Sequence, residues 1–307
     1  MCLLTLFAAT HMTSLFAQAG DSTRKKNESG LQIHTDTLAI TPRKKIKSRF
    51  EAGISYQSND VYLGRKDSSV LSYFTPVLNY YDKSGLYFSA SAGYLSDAQS
   101  SRVDVITLEA GYIFTAGNYD GQLNISKLFY NSQSTSVTSE ITASAGYQNG
   151  YDFGAVKAIL NLGFDFGMKT DYSASFGLEH GFSFLRDKLE FTPSVCMNAG
   201  TQNFYDNYYK NKRYSNRKNG RGTGNVAGGV TGSVVSPSNF KILDYELSIP
   251  FSYTLNKLTF NFTPTYAIPV NPSLIDIQSN GGSTNKIVTE HLTNTLYVTT
   301  GIIFRFG

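Results

Sequence analysis

Few residues in this 307-residue chain are of a kind that does chemistry. Its histidines are His11, His34, His180 and His291, and none has a second histidine or a carboxylate at metal-ligand spacing. Glu179, His180 and Ser183 hold the types a hydrolytic base and nucleophile would need. On a strand, however, His180 and Ser183 point to opposite faces, which separates base from nucleophile. Cys2 lies in an apolar N-terminal run, so Cys196 has no partner for a disulfide or a thiolate metal site. The run Gly220-Arg221-Gly222-Thr223-Gly224 has no Lys-Ser/Thr ending, which excludes a phosphate-cradling loop. These observations lead to a non-enzymatic reading with no catalytic residue, no metal and no cofactor.

Charged residues on the small-polar face of the chain are the next candidates: Glu51, Glu109, Lys157, Asp165, Glu179, Glu190, Asp244, Glu246 and Arg305. A buried charge must pair or reach water. If the first and last segments meet, Glu51 and Arg305 face each other, and Lys157 and Glu179 become neighbours by the same counting. Paired inward carboxylates could serve a glycosidase as acid and base, but these fall on no recognised motif. A third group is the basic stretch Lys210, Lys212, Arg213, Arg217, Lys218 and Arg221, which follows Phe204-Tyr205-Asp206-Asn207-Tyr208-Tyr209. Such a loop could hold lipopolysaccharide phosphates or anionic ligands, could be simply solvated, or would narrow a pore if it folded inward.

The elements that carry these residues have a period of two. Leu296, Val298, Thr300, Ile302, Phe304 and Phe306 alternate with Tyr297, Thr299, Gly301, Ile303 and Arg305, and the same alternation runs through 258–268 and 189–198. Twelve strands are expected, at about 49–57, 70–81, 86–95, 102–116, 121–131, 139–148, 153–167, 172–185, 188–203, 239–255, 257–269 and 289–306. Tight turns are expected at 82–85, 117–120, Asn149-Gly150, Arg186-Asp187 and Asn256-Lys257. Longer loops are expected at 58–69, 96–101, 132–138, 168–171, 204–238 and 270–288. Turn and loop alternate, so the turns fall at one end and the loops at the other. The Phe-Thr-Pro triplets ending at Pro76, Pro193 and Pro264 should each mark a bulge or break, because proline removes a ladder donor.

Composition separates the two architectures that alternate in this way. Charged residues make up 16% of the chain, against roughly 25% in soluble domains, while it holds 21 Tyr, 21 Phe and 27 Gly and no Trp. A soluble β-sandwich would turn a Lys- and Glu-rich face to water. Here that face is Gly, Ser, Thr and Asn, which suits a narrow lumen. Runs of nine residues or more match tilted membrane strands. Tyr56, Tyr73, Tyr80, Tyr87, Tyr94, Tyr112, Tyr130, Tyr147, Phe153, Phe166, Tyr172, Phe184 and Tyr253 near strand ends are expected to form interfacial girdles. The fold class is thus all-β, a transmembrane antiparallel up-and-down barrel of about twelve strands.

Residues 1–19 read as a signal peptide, with Leu3–Ala9 apolar and Ala17-Gln18-Ala19 as cleavage site; a buried N-terminal helix is the alternative. Residues 20–48 read as a flexible basic periplasmic tail and 49–307 as the barrel. Residues 20–49 hold eight basic and three acidic residues, a net of +5. Residues 204–238 hold six and one, another +5, so the rest carries −6 of the total +4. Basic charge confined to a tail and a loop of an exported chain argues against nucleic acid.

The leader, twelve amphipathic strands, alternating turns and loops, and the ending Gly301-Ile302-Ile303-Phe304-Arg305-Phe306-Gly307 resemble Gram-negative outer-membrane β-barrels. The Tyr-rich, Trp-free style is similar to uncharacterised barrels of Bacteroidota. The resemblance spans residues 50–307. It implies location in the bacterial outer membrane, contact with lipid and lipopolysaccharide, and recognition of Phe304 and Phe306 by the barrel-assembly machinery. Gly307 departs from the family's terminal aromatic. The function expected is a porin-like passive or substrate-selective channel for a small solute. Alternatives are a closed scaffold or receptor-like barrel that binds a partner through loops or tail, and, less in keeping with the residues, an outer-membrane hydrolase.

Overall fold

The computed structural model describes residues 47–96, 101–213, 230–279 and 286–306. The expected signal peptide and nearly all of the tail, with His11 and His34, lie outside the described residues, as do Arg217, Lys218, Arg221 and the glycine run. Alternating side chains build strands β1 (Arg49–Gln57), β2 (Tyr73–Tyr81), β3 (Leu86–Leu95), β4 (Arg102–Ala116), β5 (Tyr119–Tyr130), β6 (Ala143–Asp152) and β7 (Lys157–Phe166). They continue through β8 (Thr170–Glu179), β9 (Phe182–Phe184), β10 (Leu189–Phe191) and β11 (Ser194–Gly200). A short helix α1 (Asn203–Tyr208) runs into one π turn (Tyr209–Arg213). Strands β12 (Val230–Val234), β13 (Lys241–Ser248), β14 (Phe251–Leu255), β15 (Leu258–Pro269), β16 (Leu274–Ser279), β17 (Lys286–Thr289) and β18 (Thr295–Phe306) follow.

Neighbouring strands pair antiparallel, and the sheet closes because β1 pairs with both β2 and β18 while β13 pairs with both β11 and β15. β8 and β9 form one wall strand, β10 and β11 a second, and β13 and β14 a third, so the barrel has twelve wall strands. Closure pairs the wall strands around the barrel, so that only the short β9, paired with β10 alone, keeps a free flank; in lipid an unpaired backbone group costs several kcal/mol. Along each strand one face is apolar and outward while the other is polar and inward: Leu78 is 65% exposed and its neighbour Asn79 only 7%. The outer face carries Ile54, Phe88, Leu108, Ile125, Phe176 and Leu247, all exposed as a lipid-facing band requires. This is a transmembrane β-barrel of the outer-membrane type, and the end with the short turns is the periplasmic one.

Four expectations change. Asn149-Gly150 lies inside β6, and the turn falls at 153–156, where Phe153 N–H donates to the Val156 carbonyl and Gly154 takes φ +89°. Gly150 serves a close approach instead, since a Cβ there would sit 2.3 Å from Lys157 Cε. Residues 167–169 form a short connection at the loop end rather than a longer loop, joining Phe166 to its partner Thr170. Tyr73 and Tyr87 are buried in the lumen and Tyr130 packs on an interior core, so these three are not girdle residues. Three expected long strands are each interrupted, at 180–181, 192–193 and 249–250.

The last change follows from proline. His180 N–H donates to Pro193 O at 3.2 Å, Thr192 N–H to Pro250 O at 2.9 Å, and Ile249 N–H to Pro264 O at 3.1 Å. In an antiparallel ladder such residues exchange two bonds, and proline has no N–H for the second. At Pro76 the register persists but Thr75 and Pro76 drop out of the pairing with β3.

Candidate functional site

Loops from the outer end fold into the mouth of the barrel and fill it. Tyr62, Leu63, Val137, Ile141, Phe204, Tyr205, Tyr208, Tyr209, Val234 and Ile275 form one buried core with Val105, Leu128 and Leu243 of the wall. Helix α1 is its centre. Phe204 and Tyr208, like Tyr205 and Tyr209, stand four residues apart, so aromatic rings line a single helical turn. Tyr205 and Tyr208 stack with ring centroids 5.8 Å apart, and Phe204 meets Tyr62 edge-on at 4.9 Å. Burial, with Glu290 nearby, pushes the Tyr205 phenol well above its ordinary pKa and keeps it neutral. Residues 203–209 are therefore an inward plug, and only from Lys210, which pairs with Asp206 at 2.6 Å, does the basic loop reach an exposed position.

Buried aspartates pin each part of the plug. Asp171, on β8, accepts from the backbone N–H of Asn203 at 2.6 Å and of Phe204 at 2.7 Å and from the Thr201 hydroxyl at 2.7 Å. It caps α1 from the wall, because the residue preceding the helix, Gln202, makes no side-chain cap of its own. Asp206 accepts from Val234 N–H at 2.8 Å and ties the helix to β12. Asp104 accepts from Tyr73 at 2.7 Å and Ser134 at 2.6 Å, and Asp60 from Ser136 at 2.7 Å. Asp165 of β7 accepts from Tyr62 and, at 2.5 Å, from Ser144. Arg65, fully buried, donates to the carbonyls of Leu243, Val270 and Asn271 and pairs with Glu290 at 3.3 Å.

Below the plug the lumen is polar and more solvent-exposed on one side. Lys157, Asn161, Thr259, Asn261, Thr299 and Arg305 are partly exposed there, facing inward by strand alternation. The opposite side is packed: Tyr87 donates to Glu109 at 2.6 Å and receives Gln122 at 2.7 Å. At the closure of the barrel Arg305 lies 3.2 Å from Glu51, which also pairs with Arg49 at 2.9 Å. Lys157 bridges Asp120 at 3.1 Å and Glu179 at 3.6 Å.

All nine charged residues assigned to the lumen occupy inward positions, but they do not converge on one site. Asp165 anchors the plug from the wall and Glu51 belongs to the closure. Asp244 and Glu246 form a separate buried pair, with Tyr297 donating to Glu246 at 3.2 Å. Glu190 sits near the periplasmic rim, directly opposite Ser183 and Ser252. His180 Nδ1 meets the Ala155 carbonyl, whereas Ser183 donates to Asp187 at 2.5 Å. Among the described residues no group of three or more His, Cys, Asp or Glu is placed to hold a metal ion. Phe304 and Phe306 point outward with ring centroids 4.8 Å apart. Sequence reasoning missed Asp60, Asp104, Asp171, Asp206, Arg65 and Glu290. The helical spacing of the aromatics in 204–209 was the one local signal of the plug.

No protein-family model and no curated protein matches this chain. Among solved structures, the KdgM porin aligns at 8% identity and TM-score 0.45 over 84% of this chain and 99% of its own. An outer membrane channel from Pseudomonas putida F1 aligns at 10% and 0.44, over 87% and 100%. LpxR from Salmonella typhimurium aligns at 11% and 0.42, over 83% and 99%. The chain's own strand pairings close the barrel.

Proposed function

We propose that this protein is a porin-like conduit of the bacterial outer membrane for a small polar solute, held closed at its outer mouth by a folded plug. The observation that carries this reading is the make-up of the blockage. The obstruction consists of loops, fixed by hydrogen bonds to wall carboxylates such as Asp171, Asp104 and Asp165, whereas the wall itself presents Gly, Ser, Thr and Asn to a lumen whose inward residues are partly solvent-exposed along one side. A plug that can leave needs such a lining behind it. In this reading the protein is non-catalytic, the outer belt meets lipid and lipopolysaccharide, the exposed Lys210 is available to lipopolysaccharide phosphates, and Phe304 and Phe306 carry the assembly signal. The exported leader and a Bacteroidota origin belong to the same proposal.

Planar-bilayer conductance of the folded protein, compared with a variant lacking residues 203–234, tests it. Conductance that is small or intermittent in the full chain and steady in the deletion is the expected result. A second reading, a closed scaffold, draws on the size of the plug core. Silence of both forms, in material whose folding is shown by heat-modifiable gel mobility, would favour the scaffold.

A further inference from the structure

The three proline interruptions lie side by side. His180 faces Pro193, Thr192 faces Pro250, and Ile249 faces Pro264, so one row across four adjacent wall strands keeps only one bond of each pair. The carbonyls of His180, Thr192 and Ile249 thus face a proline nitrogen that cannot donate. The row is inside the apolar belt, because Ile249 is exposed on the outer face and Leu247 and Tyr253 flank it above and below. On the lumen side, alternation places Gly181, Thr192, Pro250 and Thr263, which makes the wall thin as well as weakly bonded.

Two further features converge on the row. On the outer surface, immediately toward the periplasm, Phe182, Phe191, Phe251 and Phe262 stand in register on the four strands, their neighbouring ring centroids 5.6, 5.1 and 6.2 Å apart. At the β8 end of the row a cavity of about 80 Å³ touches both the lumen residues Lys157, Glu179, Gly181 and Thr192 and the outward His180. It exists because β7 starts only at Lys157, so the flank of residues 180–184 faces the 153–156 turn instead of a strand.

We infer that this row is a lateral passage in the periplasmic-leaflet half of the wall, through which the acyl chain of a membrane phospholipid reaches the lumen. The phospholipid is the occupant because the outward side of the row belongs to the belt that the bilayer covers, and a strip of aromatic rings is a surface on which a hydrocarbon chain lies. The inference stands apart from solute conduction: it concerns the wall, not the plug.

The absence of tryptophan from the chain supplies the test. A single indole is introduced at the lumen side of the row by Thr263→Trp, and in a second protein on a lumen position of the intact wall by Gln148→Trp. Each is refolded into vesicles of phosphatidylcholine with or without bromine on the acyl chains. The expected result is strong quenching at 263, weak quenching at 148, and a fall of the 263 signal to the level of 148 when the ladder is repaired by Pro193→Thr, Pro250→Thr and Pro264→Thr. If the triple repair does not fold, Pro250→Thr alone is used. Equal quenching at the two positions, or quenching at 263 that survives repair in folded protein, overturns the passage.

Discussion

The carboxylate of Asp171 receives the backbone N–H of Phe204 at 2.7 Å, so a wall residue of β8 forms the cap of the plug helix. Replacement of a capping side chain by alanine costs about 1 kcal/mol, and within 0.5–2 kcal/mol, of helix stability. Asp171→Ala is therefore expected to loosen α1 without harming the barrel. In bilayers it should conduct more often than the parent while its heat-modifiable gel shift stays unchanged. An unaltered conductance trace would show that the cap does not hold the plug.

Phe204 is buried against Tyr62 and the rest of the plug core. Truncating such a ring costs about 3–5 kcal/mol. Because the wall's ladder does not depend on it, Phe204→Ala should melt the plug locally. External protease is expected to cut within residues 203–213 of the variant and leave the barrel intact, and equal resistance in both proteins would contradict this.

Glu51 holds two arginines at once, Arg305 at 3.2 Å and Arg49 at 2.9 Å. Arg305→Ala leaves one cation in place and should lower unfolding stability by about 1 kcal/mol, because Arg305 is partly solvent-exposed. Removing both strands a buried carboxylate, for which the loss is about 3–5 kcal/mol. The double variant should thus exceed the sum of the singles in urea unfolding from vesicles, the signature of one coupled cluster.

Asp82, in a periplasmic turn, accepts hydrogen bonds from Ser84, Ser48 and Tyr80, and these hold its carboxyl below the usual carboxylate range. A group depressed on folding contributes stability above its unfolded pKa of about 4 and loses it as pH falls through the folded value. Asp82→Asn should abolish that part of the acid dependence: the parent loses more stability than the variant between neutral pH and pH values well below 4. Parallel curves would show that the turn does not couple to unfolding.

Much of the wall was readable because its periodicity is enforced by two solvents. Arg49–Gln57, Leu86–Leu95 and Arg102–Ala116 fall where alternation puts them, since lipid outside and a polar lumen inside select opposite side chains at every step. The turn after β6 escaped because Asn-Gly is a turn signal, whereas Gly150 is used here for the passage of Lys157. Pro193 announced a break in its own strand, whereas Pro264 lies in an unbroken β15 and interrupts the facing strand at 249–250. That they align with Pro250 in one row depends on strand register, which no single strand specifies.

The pairs Glu51 with Arg305 and Lys157 with Glu179 were also legible, because counting residues along neighbouring strands fixes who stands opposite whom. The plug was not. Its contacts join residues such as Tyr62 and Asp165, 103 positions apart, or Asp171 and Phe204, 33 apart, through loops with no repeating pattern. The sequence by itself determined a closed wall of alternating strands with a polar interior. Only the tertiary structure decided that the interior is stoppered from outside, because burying irregular backbone requires particular carboxylates from distant strands to meet particular N–H and hydroxyl groups, and no periodicity encodes such meetings.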